Sequence, residues 1–138
     1  MKIARLGDRS DLSRRELPHR CTSKDRPESG HLLAWINAGE IFCAPAPAWY
    51  EFLCVPVDTD AVEAMNDLVG GRIVPFDSAS AELAAGLFNL IGRPRARRVD
   101  VMIAAIAIQQ DAQLATLNTE HFTALLDHGL KLAVVPSR

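Results

Sequence analysis

Apolar residues recur every three or four positions in the C-terminal third of the chain, and this spacing predicts a helix that begins at Asp100. Asp100 falls in the first turn of that helix, where the free amide groups favour a negative charge. Several of the apolar residues are alanines, so the helix can lie close against a sheet. A polar segment ends the helix, and a short apolar strand follows. The residues that share the apolar face are Ile103, Ala104, Ala107 and Ile108.

Short apolar runs alternate with amphipathic segments along the rest of the chain, and Pro or Gly separates many of them. This alternation favours an α/β fold with a parallel sheet covered by helices on both faces. No internal repeat is visible. The predicted strands are residues 1–7, 41–44, 72–76, 114–117 and 130–135. The predicted helices are residues 30–39, 48–55, 58–69, 78–91 and the segment from Asp100, with a helical turn at 123–128.

The first thirty residues differ in charge from the rest of the chain. They contain eight Lys or Arg against five Asp or Glu, whereas the remaining residues contain seven against twelve. Pro18 and Pro27 interrupt the polar stretch 13–29, which we expect to be a loop or poorly ordered. A length of 138 residues with 49% hydrophobic content suits one domain, residues 1–138, in which residues 1–30 are atypical.

Cysteine usage and hydropathy predict a cytoplasmic protein. Cys21, Cys43 and Cys54 form no CxxC pair and no zinc-type spacing with histidine, which favours reduced thiols. No apolar run is long enough to span a membrane, and no hydrophobic signal core follows Met1. The net charge of −2 does not by itself mark a nucleic-acid-binding protein.

Three polar residues lie where a helix or strand begins or ends, and they predict a metal site. Glu51 lies in an apolar segment that we interpret as the first turn of helix 48–55, Asp100 opens the last long helix, and Asn118 follows strand 114–117. Asp8 joins them if residues 1–7 form a strand. Carboxylate and amide oxygens suit Mg²⁺ or Mn²⁺ rather than Zn²⁺. Each residue also has a purely structural alternative, as a helix cap, an exposed helix residue or a turn residue.

A basic loop precedes Asp100. We use this name for Arg93, Arg95, Arg97 and Arg98. Such a loop can guide an RNA backbone towards a metal site, because phosphate contacts dominate nucleic-acid affinity. The alternative is an ordinary solvated loop. The histidines show no metal-ligand spacing; they are His19, His31, His121 and His128.

Several segments resemble PIN-domain ribonucleases, and among these the VapC-like toxins of bacterial toxin–antitoxin pairs. The similar segments are DVMIAA, LATLN and HF near the C-terminus, with APAPAWYEFL and IVPFD before them. The resemblance covers about residues 32–135. It implies a three-layer α/β/α sandwich with a central parallel sheet, Mg²⁺- or Mn²⁺-dependent cleavage of RNA, a homodimer, and a cognate antitoxin. It assigns catalysis to Asp8, Glu51, Asp100 and Asn118, with the three acids as metal ligands.

The N-terminus departs from that family pattern. The family opens with an uninterrupted apolar strand that ends in Asp-Thr-Asn or Asp-Thr-Ser, whereas this chain has Arg5 within the strand and then Asp8-Arg9-Ser10. A central strand buries an arginine poorly. Three functions therefore stay open: an endoribonuclease toxin, a catalytically impaired PIN-like module that only binds an antitoxin or dimerises, and an unrelated α/β protein that binds a small ligand.

Overall fold

A computed structural model describes residues 2–7 and 40–133. These residues form a five-stranded sheet in the order β3-β2-β1-β4-β5, together with four α-helices and three short 3₁₀ segments. The strands are β1 (Ile3–Gly7), β2 (Ile41–Pro45), β3 (Ile73–Val74), β4 (Gln113–Ala115) and β5 (Lys131–Leu132). The helices are α1 (Ala46–Cys54), α2 (Thr59–Val69), α3 (Ser78–Leu90) and α4 (Arg98–Gln109), and the 3₁₀ segments are Arg95–Arg97, Thr119–His121 and Thr123–His128. The predicted α/β class is confirmed.

The central strand runs against its neighbours, so the predicted parallel sheet is found for the other four strands but not for β1. β2 pairs with β3, and β4 with β5, in parallel, but β1 is antiparallel to both β2 and β4. Side chains alternate along a strand with a period of two in either direction, so the apolar pattern of residues 1–7 does not specify its orientation. As a result, the start of β1 lies at the carboxyl edge of the other four strands, where the sequence places the candidate site.

Arg5 is accommodated in the central strand, contrary to the expectation that it would be hard to bury. Its guanidinium lies 3.3 Å from Glu40 and donates hydrogen bonds to the side-chain oxygen of Gln113. Next to it, Ile3 and Ala4 are almost completely buried. A charged residue is therefore tolerated in β1 because acceptors from two other segments meet it.

α1 begins two residues earlier than predicted, directly after β2. All five residues of β2 are buried, and Pro47 falls in the first turn of α1, where proline costs no hydrogen bond. Because the helix begins at Ala46, Glu51 lies in its second turn and not in its first. The predicted strand 41–44 and the identity of the helix that follows are otherwise confirmed.

The other elements predicted within the described residues are present, and two of the strands differ in length or position from the prediction. Strand 72–76 is reduced to the two residues of β3, and β4 begins and ends earlier than strand 114–117. Asp58 is the N-cap of α2, since its carboxylate accepts the N–H of Ala61 at 2.7 Å. Gly70 ends this helix at a positive φ of 60°, a conformation that suits glycine.

Apolar side chains form separate clusters on the two faces of the sheet. On one face, Phe42 and Ile3 pack with the end of α2. On the other, Leu114 packs with α3, α4 and the buried ring of Phe122. Leu114 and its neighbour Ala115 belong to different clusters, as expected for successive residues of a strand. This layering agrees with the predicted sandwich and holds the N-terminus of α4 at the carboxyl edge.

Some predictions fall outside the described residues, namely Asp8, the polar stretch 13–29, helix 30–39 and the last residues of strand 130–135. Among the helices of the described part, none has the length and hydropathy that a membrane crossing requires.

Candidate functional site

Asp100 is a buried acid at the start of α4. It is 5% exposed, and it lies in the first turn of the helix as predicted. A carboxylate at that depth needs compensating charge, and the positive end of the helix supplies part of it. Side chains supply the rest, because Lys2 Nζ donates to its Oδ1 at 3.1 Å while Arg97 and His121 approach its Oδ2.

Glu51 meets Asp100 through the same lysine. Its Oε1 accepts a hydrogen bond from Lys2 Nζ at 3.0 Å. The Glu51 and Asp100 oxygens bound to this nitrogen are therefore at most about 6 Å apart, the sum of the two distances. α1 follows β2, and the N-terminus of α4 lies beyond the strand ends, so the fold brings both acids to the carboxyl edge of the sheet. Their closeness agrees with the sequence interpretation of a shared site.

Lys2 is the residue that sequence reasoning missed. It lies directly before β1, and its side chain is 15% exposed between the two carboxylates. Burial alone lowers the pKa of Lys2, but the hydrogen bonds and charges of Glu51 and Asp100 together raise the pKa above its usual value. The ammonium is therefore charged at neutral pH. Its partner Asp100 is 98 positions away in sequence, so no local signal pointed to the pair.

His121 and Arg97 complete the surroundings of Asp100. His121 Nδ1 lies 3.5 Å, and Arg97 Nη1 3.9 Å, from Asp100 Oδ2. The 3₁₀ turn after Asn118 carries His121 to the acid, although the spacing of the histidines in the sequence gave it no role. The signal that was available was its position in the HF pair, three residues after Asn118. Arg97 was expected at the site as part of the basic loop.

The structure places Asn118 at the surface of the loop after β4. Its side chain is exposed, and its backbone N–H donates to the hydroxyl of the buried Thr116 at 3.1 Å. Its carbonyl accepts from the N–H of His121, which closes the 3₁₀ turn. A direct role for the Asn118 side chain at the acid pair stays a prediction.

Asp8 lies outside the described residues, so its predicted role as a ligand stays a prediction too. Gly7, at the end of β1, pairs with Ile41 at the start of β2. That position is at the edge of the sheet opposite to Glu51 and Asp100. The strand thus presents its first residues, and not its end, to the acid pair.

The basic loop has one residue directed at the site and others at the surface. Arg97 reaches Asp100, whereas Arg95 is exposed, and Arg98 is exposed with its guanidinium 5.9 Å from the centre of the Phe88 ring. Arg93 donates to Asn89 at 2.9 Å. Exposed guanidinium groups next to an acidic site are suited to contacts with phosphates.

The acid pair has the donor chemistry of a Mg²⁺ or Mn²⁺ site, but its arrangement does not fit one. Carboxylate oxygens are the ligands that these ions prefer. Here Lys2 Nζ lies between the two carboxylates, and Arg97 and His121 approach the second oxygen of Asp100. Within residues 2–7 and 40–133, no three His, Cys, Asp or Glu side chains converge as metal ligands would.

Comparison with known families adds one match. The family model described as "PIN domain" matches residues 20–125, which is more than half of the chain. No curated protein and no solved structure matches the chain. The matched segment contains Glu51, Arg97, Asp100, Asn118 and His121. It begins after β1, so Lys2 and Asp8 lie outside it.

Proposed function

Since the chain belongs to the PIN domain family, whose members are typically nucleases, we propose that it is an endoribonuclease toxin of the VapC-like kind that hydrolyses RNA phosphodiester bonds. The observation that carries the proposal is the convergence of Glu51 and Asp100. Both acids reach the same nitrogen at the carboxyl edge of the sheet, where open α/β folds bind their ligands.

The proposal includes Mg²⁺ or Mn²⁺ as cofactor. It assigns the metal to Asp8, Glu51 and Asp100, and counts Asn118 with them as catalytic. Only Glu51 and Asp100 have support from the described residues, whereas Asp8 rests on the resemblance alone. The hard oxygen donors of the acid pair support this choice of ion. Because Lys2 fills the space between the carboxylates, metal binding by the pair requires the lysine side chain to withdraw.

RNA is the proposed substrate, and Arg95, Arg97 and Arg98 are the proposed contacts to its backbone. Arg95 and Arg98 are exposed, and Arg97 links this surface to Asp100 at 3.9 Å. An acidic site alone repels a polyanion, so a neighbouring basic surface is needed to bind one. The basic loop supplies that surface directly beside the acid.

The proposal also includes a cognate antitoxin as partner, a homodimer and a cytoplasmic location. Large apolar side chains exposed on and just after α1 support a protein partner, since single domains seldom leave neighbouring residues of this kind uncovered. Cys54 forms no disulfide among the described residues, in line with a reducing compartment. The exposed residues are Tyr50, Leu53 and Val55.

A nuclease assay on a labelled single-stranded RNA tests the proposal. Cleavage should require Mg²⁺ or Mn²⁺, stop with chelator, and disappear in Asp100→Asn, which removes a charge but little volume. The matched control is Asp111→Asn, because Asp111 is an exposed acid at the other end of α4. Cleavage that persists in chelator, or in Asp100→Asn, would place the active site elsewhere.

The second candidate is a PIN-like module that has lost catalysis and only binds an antitoxin or dimerises. One observation favours it: Lys2 and Arg97 already balance the charge of the acid pair, as the cations of a structural ion-pair network would. In that case the wild-type chain cleaves no RNA at any metal concentration, yet still elutes as a dimer or with its antitoxin in size-exclusion chromatography.

A further inference from the structure

We infer that Lys2 is an internal counter-ion that closes the acid pair of Glu51 and Asp100 to divalent cations. The inference rests on the proposed role of those acids as metal ligands, but it concerns their occupancy and not the cleavage of RNA. It predicts that the wild-type chain binds Mn²⁺ weakly at this site, and that removal of the Lys2 charge opens the site.

A divalent ion on the acid pair would conflict with Lys2 in both space and charge. A Mg²⁺ ion sits about 2.0–2.1 Å from its oxygen ligands. Lys2 Nζ is 3.0 Å from Glu51 Oε1, so an ion bound to that oxygen lies within about 5 Å of the ammonium, the sum of the two distances. The same limit holds at Asp100 Oδ1, which is 3.1 Å from the nitrogen. The ion and the ammonium therefore repel each other strongly at short range in a half-buried site.

The charges around the acid pair are already balanced. The two carboxylates carry two negative charges, and Lys2 and Arg97 carry two positive charges within ion-pair distance of them. The four groups together are neutral, so a divalent ion gains little attraction from them. Without the Lys2 charge, the group keeps one net negative charge, and the two oxygens that the lysine held become free acceptors.

The direction of β1 brings Lys2 to the acid pair. In the family pattern, the first strand ends in an acid, and that acid joins the site. Here β1 runs in the opposite direction, so the residue before the strand reaches the carboxyl edge, and this residue is Lys2. β1 also lies before residue 20, where the family match begins. The chain thus presents a cation from its first strand at the edge where the resemblance to PIN domains implies a carboxylate.

Withdrawal of the lysine needs only a local movement. The first paired residue of β1 is Ile3, which lies opposite Ala115, and Lys2 precedes it. The ladder of β1 with β2 and β4 can therefore persist while the Lys2 side chain moves to solvent. Opening the site does not require the central strand to leave the sheet.

Isothermal titration of the full chain with Mn²⁺ tests the inference. The variant is Lys2→Met, which keeps the length and apolar character of the side chain but removes its charge. The control is Lys131→Met, which makes the same charge change at an exposed ion pair with Asp111. We expect Lys2→Met to bind Mn²⁺ at least about tenfold more tightly than the wild type and the control. Lys2→Arg keeps the charge, so its affinity should stay at the wild-type value.

A double variant and a second readout locate the binding. Lys2→Met with Asp100→Asn should lose the added affinity if the ion sits on the acid pair. Mn²⁺ should also raise the melting temperature of Lys2→Met but not of Lys2→Arg, because a ligand stabilises only the state that binds it. If Lys2→Met does not fold, Lys2→Gln serves as the neutral variant in both measurements.

The outcomes separate this inference from the proposed function. Equal Mn²⁺ affinity in the wild type and Lys2→Met overturns the inference and leaves a metal-dependent nuclease intact. If no variant binds Mn²⁺, the inference fails together with the assignment of the acids as ligands. Tight binding that survives Asp100→Asn places the ion elsewhere and also overturns the inference.

Discussion

The ion pairs of Lys2 lead to a quantitative prediction about stability in the absence of metal. Replacing Lys2 with Met leaves Asp100 almost buried next to a second carboxylate. The Asp100 side chain is 6% exposed and that of Lys2 15%, so water replaces the lost ammonium poorly. The Glu51 side chain is 39% exposed, so solvent screens much of the ion pair between Lys2 and Glu51.

The size of the loss follows from these exposures. Removing one partner of a fully buried pair costs about 3–5 kcal/mol. Asp100 keeps Arg97 and His121 near its second oxygen, and Glu51 is partly hydrated, so we expect the lower part of that range or less, about 2–3 kcal/mol. The same change at Lys131, whose pair with Asp111 is exposed on both sides, should cost about 0–1 kcal/mol.

Urea unfolding followed by circular dichroism, with chelator present, measures this difference. With a slope of about 1–3 kcal/mol/M, Lys2→Met should lower the midpoint by about 0.7–3 M, and Lys131→Met by much less. Adding Asp100→Asn to Lys2→Met should reduce the cost of the lysine change by at least about 1 kcal/mol, because a neutral amide no longer needs a cation. A loss in Lys2→Met no larger than in Lys131→Met would refute the reasoning.

Four further expectations follow from other parts of the structure. Phe122→Ala should lower the free energy of unfolding by about 3–5 kcal/mol in urea, because its ring is completely buried, whereas the exposed Leu117→Ala should change it by less than about 0.5 kcal/mol; equal losses would contradict the placement of the ring. Asp58→Ala should cost about 1 kcal/mol through loss of the α2 cap, and an unchanged urea midpoint would show that the cap adds nothing. The pKa of Lys2 is raised in the folded state, so the stability that its ion pairs contribute is fully present below the unfolded pKa of 10.5 and is lost as the pH rises through the folded pKa. Wild-type stability should therefore fall more steeply above pH 10.5 than that of Lys2→Met, and parallel curves would argue against the charged contact. Replacing the three arginines proposed to contact RNA with alanine should weaken RNA binding and reduce the log–log salt slope by roughly 0.7 per lost phosphate contact, whereas an unchanged slope would mark the basic loop as an ordinary solvated loop.

Several helix ends were readable from the sequence because their signals are local. The first-turn position of Asp100 and the bounds of helix 58–69, which is α2, depend on residues within one turn of each helix end. Alternating apolar segments also indicated the α/β class. The start of α1 was predicted two residues too late because Pro45 and Pro47 were interpreted as breakers that precede the helix. Proline is well accommodated in a first turn, and Pro47 lies there.

The resemblance to PIN domains by itself predicts that Glu51 and Asp100 share one site. Amphipathic patterns alone left each acid with an ordinary structural role, as a cap or an exposed helix residue. Several acids at the ends of helices and strands together indicated a site. The segment around Asp100 carried the resemblance to PIN domains, and the family match includes it. The third proposed acid, Asp8, depends on the same resemblance in the segment where the sequence departs from it most.

Within the described residues, the sequence by itself determined which segments are helices and strands, and it placed Asp100 at the start of a helix. Only the tertiary structure decided the direction of β1, because a strand shows the same alternation of side chains when it is reversed. That direction decides which charge meets the acid pair: the start of β1 brings Lys2 to Asp100 across 98 positions of sequence. The approach of His121 to the same acid was likewise decided by the turn after β4, since electrostatic contacts depend on distance in space, which no local pattern records.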